Sequence, residues 1–197
     1  MKNRNTKTKK LVSIALFAAI STVLMFIEFN IPMTPPFLKV DISGAVILIA
    51  VLTLGLKEAV FALLIKDLIH LLSTQTGGVG ELADFIMLTA MAVALWLITR
   101  NNKDVKKVVI GCVAATAALI AAGAITNAYM LIPFYAKVMM PVEAILDMCQ
   151  KVNPNITSIT SYVVWGVVPF NAVKGVILSI ITVLLYKKSG KMLEKMK

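Results

Sequence analysis

Long apolar runs separated by short polar segments form the main pattern of the chain. Because the hydrocarbon core of a bilayer is about 30 Å thick, a helix that crosses it needs roughly 20 predominantly apolar residues. The pattern predicts six helices, at approximate positions 11–28, 40–54, 59–72, 82–99, 108–132 and 162–186. The second run is short and could instead form one arm of a partly buried hairpin. The runs indicate an all-α integral membrane protein with a single domain, residues 1–197.

Proline and glycine mark the breaks between the runs. The prolines of FNIPMTPPF, residues 29–37, cannot continue the first helix, so an extended segment is expected there. The glycines of TGGVGELADF, residues 76–85, allow close backbone approach before the fourth helix. Both segments are candidates for lids over a pocket.

The composition excludes an ordinary soluble domain. Of the 197 residues, 59% are hydrophobic and 15% are charged, and the mean hydropathy is +0.87. Cys112 and Cys149 have neither paired spacing nor Cys/His partners, so we expect small apolar packing residues and no disulfide or metal site. The first apolar run is longer than a signal-peptide core and has no clear cleavage site, so we assign it to the first helix.

The basic residues predict the orientation of the helices. The N-terminus, Lys57, the segment RNNKDVKK and the C-terminus together carry fifteen Lys and Arg, and all of them fall on one face of a six-helix arrangement. The opposite loops hold only Lys39, Lys137 and Lys151. Because excess Lys and Arg mark the cytoplasmic side, both termini are predicted inside. The same distribution argues against nucleic-acid binding, since the basic residues flank helices as topology anchors.

Polar residues inside the predicted helices are the candidate functional residues. A charge at the bilayer centre costs at least about 2.5–3.5 kcal/mol, so each such side chain must face protein, a cavity or a partner. Asn171 and Lys174 are three residues apart and share a helix face, which favours a ligand contact. The depths of Asn127, Asn171 and Lys174 fit one polar pocket that opens outward. The polar residues inside the predicted helices are Lys66, Asp67, His70, Asn127, Asn171 and Lys174.

Some of these polar residues also fit purely structural roles. Asp67 could form an ordinary ion pair with Lys66 or with Lys174 on a neighbouring helix, and His70 is more typical of a satisfied interior histidine. Asp84 is expected to favour the N-terminus of its helix. The aromatic residues Tyr135, Tyr162 and Trp165 fit an interfacial belt. The functional alternative is a flat aromatic-lined slot for a planar heterocycle with a polar edge.

Four motifs, taken in order, resemble the S components of energy-coupling-factor (ECF) transporters, and most closely their riboflavin-specific members. The resemblance covers nearly the whole chain and implies a six-helix subunit that captures riboflavin outside. Release inside would follow docking on a transmembrane coupling subunit driven by two cytoplasmic ATPases. The motifs are FIEFNIPMTPPFLKVD, GGVGELADF, NAYMLIPFY and VPFNAVKG.

The resemblance also implies roles for single residues. Flavin hydrogen bonding is implied for Asn127, Asn171 and Lys174, and loop contacts are implied around Leu38. Asp41 of the same loop motif and Glu81 of GGVGELADF complete the predicted ligand-binding set. The segment ALFAA matches the alanine motif with which these subunits meet their coupling partner, which implies docking at Ala15 and Ala19. Asp84 stands where the family usually has Asn, which puts an amide contact there in doubt.

The sequence contains no ATP-binding G-x-x-x-x-G-K-[ST] loop, no catalytic triad and no metal-spaced cluster, so a non-enzymatic subunit without a cofactor is predicted. Three alternatives stay open at this point. The chain could serve another vitamin, such as thiamin, folate or biotin. The charges on the third helix and Lys174 could relay protons in an ion-translocating subunit. It could also be a structural membrane anchor. Whether the phosphorylated flavin FMN binds is likewise open.

Overall fold

The structure is a computed structural model that describes residues 2–32, 34–35 and 37–194, with side chains described for 7–32, 34–35 and 37–188. This part of the chain is mostly helical and carries one short hairpin, β1 Phe29–Asn30 and β2 Lys39–Val40. Its seven helices are α1 Lys2–Met25, α2 Ser43–Thr53, α3 Leu56–His70, α4 Val79–Thr99, α5 Val105–Val138, α6 Val142–Gln150 and α7, which joins Ile159–Tyr162, Val163–Val167 and Val168–Glu194 without a break.

Each predicted apolar run coincides largely with a helix, although α1 ends at Met25 rather than at residue 28, and α2 begins at Ser43 rather than at residue 40. Four stretches among the described residues are long and apolar enough to cross a membrane, namely Lys7–Met25, Val79–Thr99, Val105–Val138 and Ile159–Lys188. The α2 and α3 helices have 11 and 15 residues, which is shorter than the roughly 20 that a full perpendicular crossing needs. Large apolar side chains on the outside of the bundle are widely exposed, as expected for contact with lipid.

The segment between the predicted helices 108–132 and 162–186 is not one long loop. The α5 helix continues to Val138, and α6 follows after a short break. Ile145 and Cys149 are four residues apart on one face of α6 and are both buried, because a helix brings such pairs to the same side. Burial raises the pKa of the Cys149 thiol to about 11. The cysteine is therefore a packing residue, as the sequence predicted.

Small residues bring the long helices close together. A methyl group at Gly111 of α5 would lie 2.8 Å from Cδ1 of Leu95 on α4. Between α5 and α7, Gly175 leaves room for Thr116, whose hydroxyl lies 3.0 Å from that of Ser179. In lipid, helices associate through such close packing and interhelical hydrogen bonds rather than through exclusion of water. These contacts make α4, α5 and α7 the rigid centre of the bundle.

Buried apolar residues form two clusters, and the site lies where they meet. The larger cluster fills the centre of the bundle between α2, α3, α4, α5 and α7. The smaller one lies at the end that carries the hairpin and α6, and consists of Leu38, Val40, Ile132, Ile145, Cys149, Ile156, Tyr162, Val167 and Phe170.

Contacts at the other end of the bundle gather the basic segments. Lys10 of α1 pairs with Glu58 of α3. The Lys103 Nζ donates to the carbonyl of Leu52 at 2.6 Å, and so satisfies one of the free carbonyls at the end of α2. The hydroxyl of Tyr186 donates to the carbonyl of Lys103 at 2.8 Å. These contacts join α1, α3, the α4–α5 loop and the end of α7.

Candidate functional site

A cavity of about 630 Å³ opens between the hairpin, α6 and the ends of the long helices. Its size falls in the range of about 300–1,000 Å³ that is typical of small-molecule sites. The structure brings all the predicted ligand-binding residues into the wall of this one cavity. They are Leu38, Asp41, Glu81, Asn127, Asn171 and Lys174.

Two π-helical turns lie next to the cavity, one in α5 over Asn127–Leu131 and one in α7 over Val163–Val167, and the first contributes Asn127 and Leu131 to the wall. A proline follows each turn by two residues, Pro133 in α5 and Pro169 in α7. A proline has no N–H to donate, and its ring crowds the preceding turn of a helix. A widened turn relieves this steric clash. The apolar pattern of the sequence did not predict either π turn.

Asn127 is already paired within the protein. Its Nδ2 donates to the carbonyl of Gly123 at 2.9 Å, and its Oδ1 accepts from the hydroxyl of Tyr162 at 2.9 Å. The interfacial-belt interpretation of Tyr162 is therefore wrong, because this side chain is buried with its hydroxyl bound to α5. It is also wrong for Tyr135, which lines the cavity. Trp165 is 55% exposed and fits the belt.

Asn171 keeps one polar atom unpaired. Its Nδ2 donates to the carbonyl of Val167 at 3.0 Å, whereas its buried Oδ1 has no partner among the described residues. Gly123 makes room for the amide, since a methyl group there would lie 2.4 Å from Nδ2. A buried acceptor without a donor costs about 1–3 kcal/mol, so this oxygen favours a ligand that brings an N–H.

Lys174 is held at the cavity wall by two carboxylates. Its Nζ lies 3.3 Å from Oδ2 of Asp41 and 3.2 Å from Oδ1 of Asp84. Asp41 is itself oriented by Ser43, whose backbone N–H at 2.9 Å and side-chain hydroxyl both donate to Oδ1 at the start of α2. A lysine ammonium has three protons, so one remains for a further acceptor.

Asp84 pairs with two lysines, a role that the sequence did not predict. The expectation that it serves the N-terminus of α4 is wrong, because its buried carboxylate bridges Lys66 of α3 and Lys174 of α7. The predicted pairing of Lys66 with Asp67 is present, at 2.7 Å between Nζ and Oδ1, although both Asp67 oxygens lack a well-aligned hydrogen bond in the described part. One signal in the sequence could have indicated this role, namely an acidic residue inside an apolar helix at the same depth as two lysines of other helices.

Glu81 ties down the turn between α3 and α4. Its Oε1 lies 2.9 Å from Nδ1 of His70, and its Oε2 accepts from the hydroxyls of Thr74 at 2.9 Å and Thr76 at 3.1 Å. Gly77 and Gly78 follow with φ of 63° and 89°, left-handed values that favour glycine. His70 is thus a satisfied interior histidine. The Glu81 carboxylate lines the cavity but is already occupied by the turn.

The remaining wall of the cavity is aromatic and rich in methionine. The ring of Phe37 lies 6.5 Å from that of Tyr135 and 6.0 Å from that of Tyr162. Flat rings together with flexible thioethers give an apolar surface that adapts to the shape of a ligand. The methionines in the wall are Met25, Met87, Met139, Met140 and Met148.

The two alanines predicted to dock a partner lie outside the cavity. Ala15 and Ala19 are exposed on the outer face of α1, whereas Ala18 is buried against the bundle. The two alanines, one helical turn apart, therefore form a short strip of small side chains on the exposed face of α1.

No group of three or more His, Cys, Asp or Glu side chains within the described ranges is arranged to hold a metal ion.

Comparison with known families matches residues 9–186 to the ECF transporter, substrate-specific component family. Among curated proteins, the chain is 31% identical to riboflavin transporter RibU of Streptococcus thermophilus (strain ATCC BAA-250 / LMG 18311), over 97% of this chain and 87% of the relative. It is 29% identical to riboflavin transporter RibU of Staphylococcus aureus (strain TCH60), over 96% and 94% respectively. It is 27% identical to riboflavin transporter FmnP of Bacillus subtilis (strain 168), over 92% of each chain.

A solved structure described as the S component of a bacterial ECF transporter has the same fold. It superposes with a TM-score of 0.75 at 28% sequence identity, covering 95% of this chain and 98% of the other. The agreement over nearly the full length of both chains extends the likeness from the motifs to the whole bundle.

Proposed function

We propose that this chain, which belongs to the family of ECF transporter substrate-specific components, captures riboflavin from outside the cell for ATP-driven uptake. The chain is a transporter subunit and not an enzyme, as its family and relatives are. Full-length relatives that carry the name riboflavin transporter support riboflavin as the ligand class.

The polar end of the cavity suits the pyrimidine-dione edge of a flavin. That edge presents an N–H donor between two carbonyl acceptors. On binding, the buried Oδ1 of Asn171 turns toward the cavity and accepts the N–H, and the free proton of Lys174 is donated to a carbonyl oxygen. A ligand without this edge leaves Asn171 unpaired, which is a basis for specificity. The single observation that carries the proposal is this unpaired acceptor on the same helix face as a lysine, at the polar end of a cavity whose other end is aromatic and rich in methionine.

The apolar part of the cavity accepts the flat ring system. Phe37, Tyr135 and Phe170 line it together with Leu38, which the sequence analysis placed among the contacts. Asn127 lies in the same wall, where its bond to Tyr162 orients it for a further contact. Asp41 and Glu81 act mainly by holding Lys174 and the 71–78 turn in place.

In the membrane, the chain forms one domain of six spans with both termini in the cytoplasm of a prokaryotic cell. The contacts of Lys10, Lys103 and Tyr186 support this arrangement, because they gather the basic segments at the end of the bundle opposite the cavity. The cavity then opens to the outside. The α6 helix and the hairpin lie over its mouth.

Uptake also requires partners. We propose a transmembrane coupling subunit that docks on the Ala15 and Ala19 strip of α1, together with two cytoplasmic ATPases that supply the energy. The exposure of both alanines supports the docking surface, since small side chains let two helices approach closely in lipid.

The direct test is a riboflavin titration of the detergent-purified chain. We expect a yellow protein or tight one-to-one quenching of flavin fluorescence, with no competition from thiamin, folate or biotin. A folded protein that ignores riboflavin but binds one of those vitamins would overturn the proposal. Lys174→Met is the matched variant, and its affinity for riboflavin should be lower. FMN is titrated in parallel to learn whether the cavity tolerates a phosphate. Lys39 is a basic residue in the cavity wall that a phosphate could meet, but it is already paired with Glu28.

A further inference from the structure

Lys66 lies behind the cavity and is not part of its wall. The side chain is fully buried on α3, with Nζ 2.6 Å from Oδ2 of Asp84 and 3.2 Å from Sδ of Met25. Both of these neighbours line the cavity, whereas Lys66 and Asp67 do not. Any effect of Lys66 on a ligand must therefore pass through a neighbouring side chain.

Asp84 is the side chain that can carry this effect. Its two oxygens point to different lysines, Oδ2 to Lys66 at 2.6 Å and Oδ1 to Lys174 at 3.2 Å. The two lysines belong to α3 and α7, so the carboxylate on α4 connects three helices across the floor of the site.

We infer that Lys66 and Asp84 are positioning residues for Lys174. Lys66 fixes the Asp84 carboxylate, and Asp84 together with Asp41 holds the Lys174 ammonium at the cavity wall with one proton free for a ligand acceptor. This inference rests on the proposed function, because the acceptor it assigns is a carbonyl oxygen of the flavin ring.

The charge of the cluster explains why Lys66 is needed. Asp41, Asp67 and Asp84 face the two lysines, so the cluster holds three carboxylates and two ammonium groups. Without Lys66, these carboxylates would have Lys174 as their one remaining cation in the cluster. Because buried charges must be paired, Lys174 would turn toward the protein and away from the ligand.

Two isosteric substitutions separate positioning from packing. Asp84→Asn removes the charge that holds Lys174, whereas Asp67→Asn removes a neighbouring charge that touches only Lys66 in this cluster. We expect Asp84→Asn to weaken riboflavin binding about tenfold to hundredfold, since a charge-assisted contact is lost. Asp67→Asn should change the dissociation constant less than about threefold. Equal losses in the two variants would overturn the inference.

A cycle with Lys174→Met tests whether Asp84 acts through Lys174. In the Lys174→Met background, Asp84→Asn should cause little further loss of affinity, because the group that it positions is gone. A loss as large as in the wild-type background would indicate a structural effect and overturn the inference. The charge-balanced double variant Lys66→Met/Asp84→Asn covers the case in which Asp84→Asn fails to fold. It should fold and still bind riboflavin weakly.

The absorption spectrum of saturated protein gives an independent readout. Hydrogen bonds to the ring carbonyls shift the flavin bands, so Asp84→Asn and Lys66→Met should shift them, whereas Asp67→Asn should not. Unshifted bands in both variants would contradict the assignment. If the wild-type chain does not bind riboflavin, the proposed function fails. If it binds and Asp84→Asn binds equally well, only the present inference fails.

Discussion

Individual polar residues in the cavity wall differ in how many of their atoms are already paired. Asn127 has partners for both side-chain polar atoms, in Gly123 and Tyr162. Lys174 has two carboxylate partners, and Asn171 leaves its Oδ1 unpaired within the described part of the chain. An unpaired buried group discriminates most strongly between ligands, because a complex in which it stays unpaired is less stable by the free energy of the missing hydrogen bond. Asn171 is therefore the residue at which specificity is expected to concentrate.

Replacing Asn171 by Ala should weaken riboflavin binding about tenfold to hundredfold, because the ligand N–H loses its acceptor. Isothermal titration of the purified variant measures this. Thr89→Val is the matched control, since the Thr89 hydroxyl is also buried without a partner in the structure's described residues but lies outside the cavity wall. Its affinity should equal that of the wild type. An Asn171→Ala variant with unchanged affinity would show that Asn171 does not bind the ligand.

Replacing Gly123 by Ala should also weaken binding, although Gly123 itself does not line the cavity. The added methyl group would lie 2.4 Å from the Asn171 amide and must displace it. Gly111→Ala in the same helix is the control, because its methyl group meets the flexible end of Leu95 at 2.8 Å. We expect Gly111→Ala to lower thermal stability without changing affinity. Equal affinities in the two variants would contradict the role given to Gly123.

Separate elements form the two sides of the cavity mouth. On one side, the β1–β2 hairpin closes the segment 31–38, with Phe29 opposite Val40 and Asn30 opposite Lys39. On the other, Glu81 gathers His70, Thr74 and Thr76 into a compact turn. The turn is held mainly by these polar contacts, which is typical of a segment that opens and closes around a ligand, whereas the hairpin is anchored in the smaller apolar cluster through Leu38 and Val40.

Thr74→Val should speed the dissociation of riboflavin about twofold to tenfold. The hydroxyl of Thr74 donates to Glu81 and accepts from the backbone N–H of Gly78, so its loss loosens the turn without altering the cavity wall. Stopped-flow displacement measures the rate. Thr53→Val is the control, because its hydroxyl bonds within its own helix, at the end of α2 away from this turn. A dissociation rate equal to that of the control would show that the turn does not limit release.

At the scale of the whole molecule, one end of the bundle holds the ligand cavity and the other gathers the basic segments. The α4, α5 and α7 helices connect the two ends through small-residue contacts such as Gly111 with Leu95 and Gly175 with Thr116. This arrangement fits a subunit that receives a vitamin on one side of the membrane and meets its energy source from the other.

The predicted orientation can be tested with cysteines at two exposed asparagines. The two variants, Asn155→Cys and Asn101→Cys, are made in a background without Cys112 and Cys149. Position 155 lies near α6, and position 101 lies in the basic α4–α5 loop. A membrane-impermeant maleimide on intact cells should label position 155 but not position 101, because the basic loop is expected inside. Permeabilised cells should label both. Labelling of position 101 in intact cells would show that the basic loop lies outside, opposite to the predicted orientation.

The docking surface can be tested by adding bulk at Ala15 or Ala19. A Trp at either position should abolish riboflavin uptake in cells that contain the coupling subunits, because the helix can no longer approach its partner closely. Binding by the purified subunit should not change. Val113→Trp is the control, since Val113 is 67% exposed on α5 away from this strip. Loss of uptake in the control as well would point to impaired insertion.

Much of the fold and part of the site could be predicted from the sequence. Each apolar run became a helix because lipid requires a continuous apolar surface and internally paired backbone groups, which leaves few alternatives. Asn127, Asn171 and Lys174 share one cavity because polar side chains in an apolar helix must face the interior, whereas Leu38 and Asp41 reach it from the hairpin segment. The π turns and the α6 helix were missed, since their local signals, a proline and a short amphipathic stretch, are shared with ordinary loops and helices.

The sequence by itself thus determined the membrane class, the helical runs and the identity of the polar residues that must be shielded from lipid. Only the tertiary structure decided the partner of each polar group. Lys174 meets Asp41 and Asp84 from 133 and 90 residues away, and Tyr162 reaches Asn127 from 35 residues away. Apolar periodicity shows which face of a helix is buried, but it carries no information about which neighbouring helix covers that face. The charged cluster of Lys66, Asp84 and Lys174 exists because α3 packs on α4, and α2 packs on both α4 and α7.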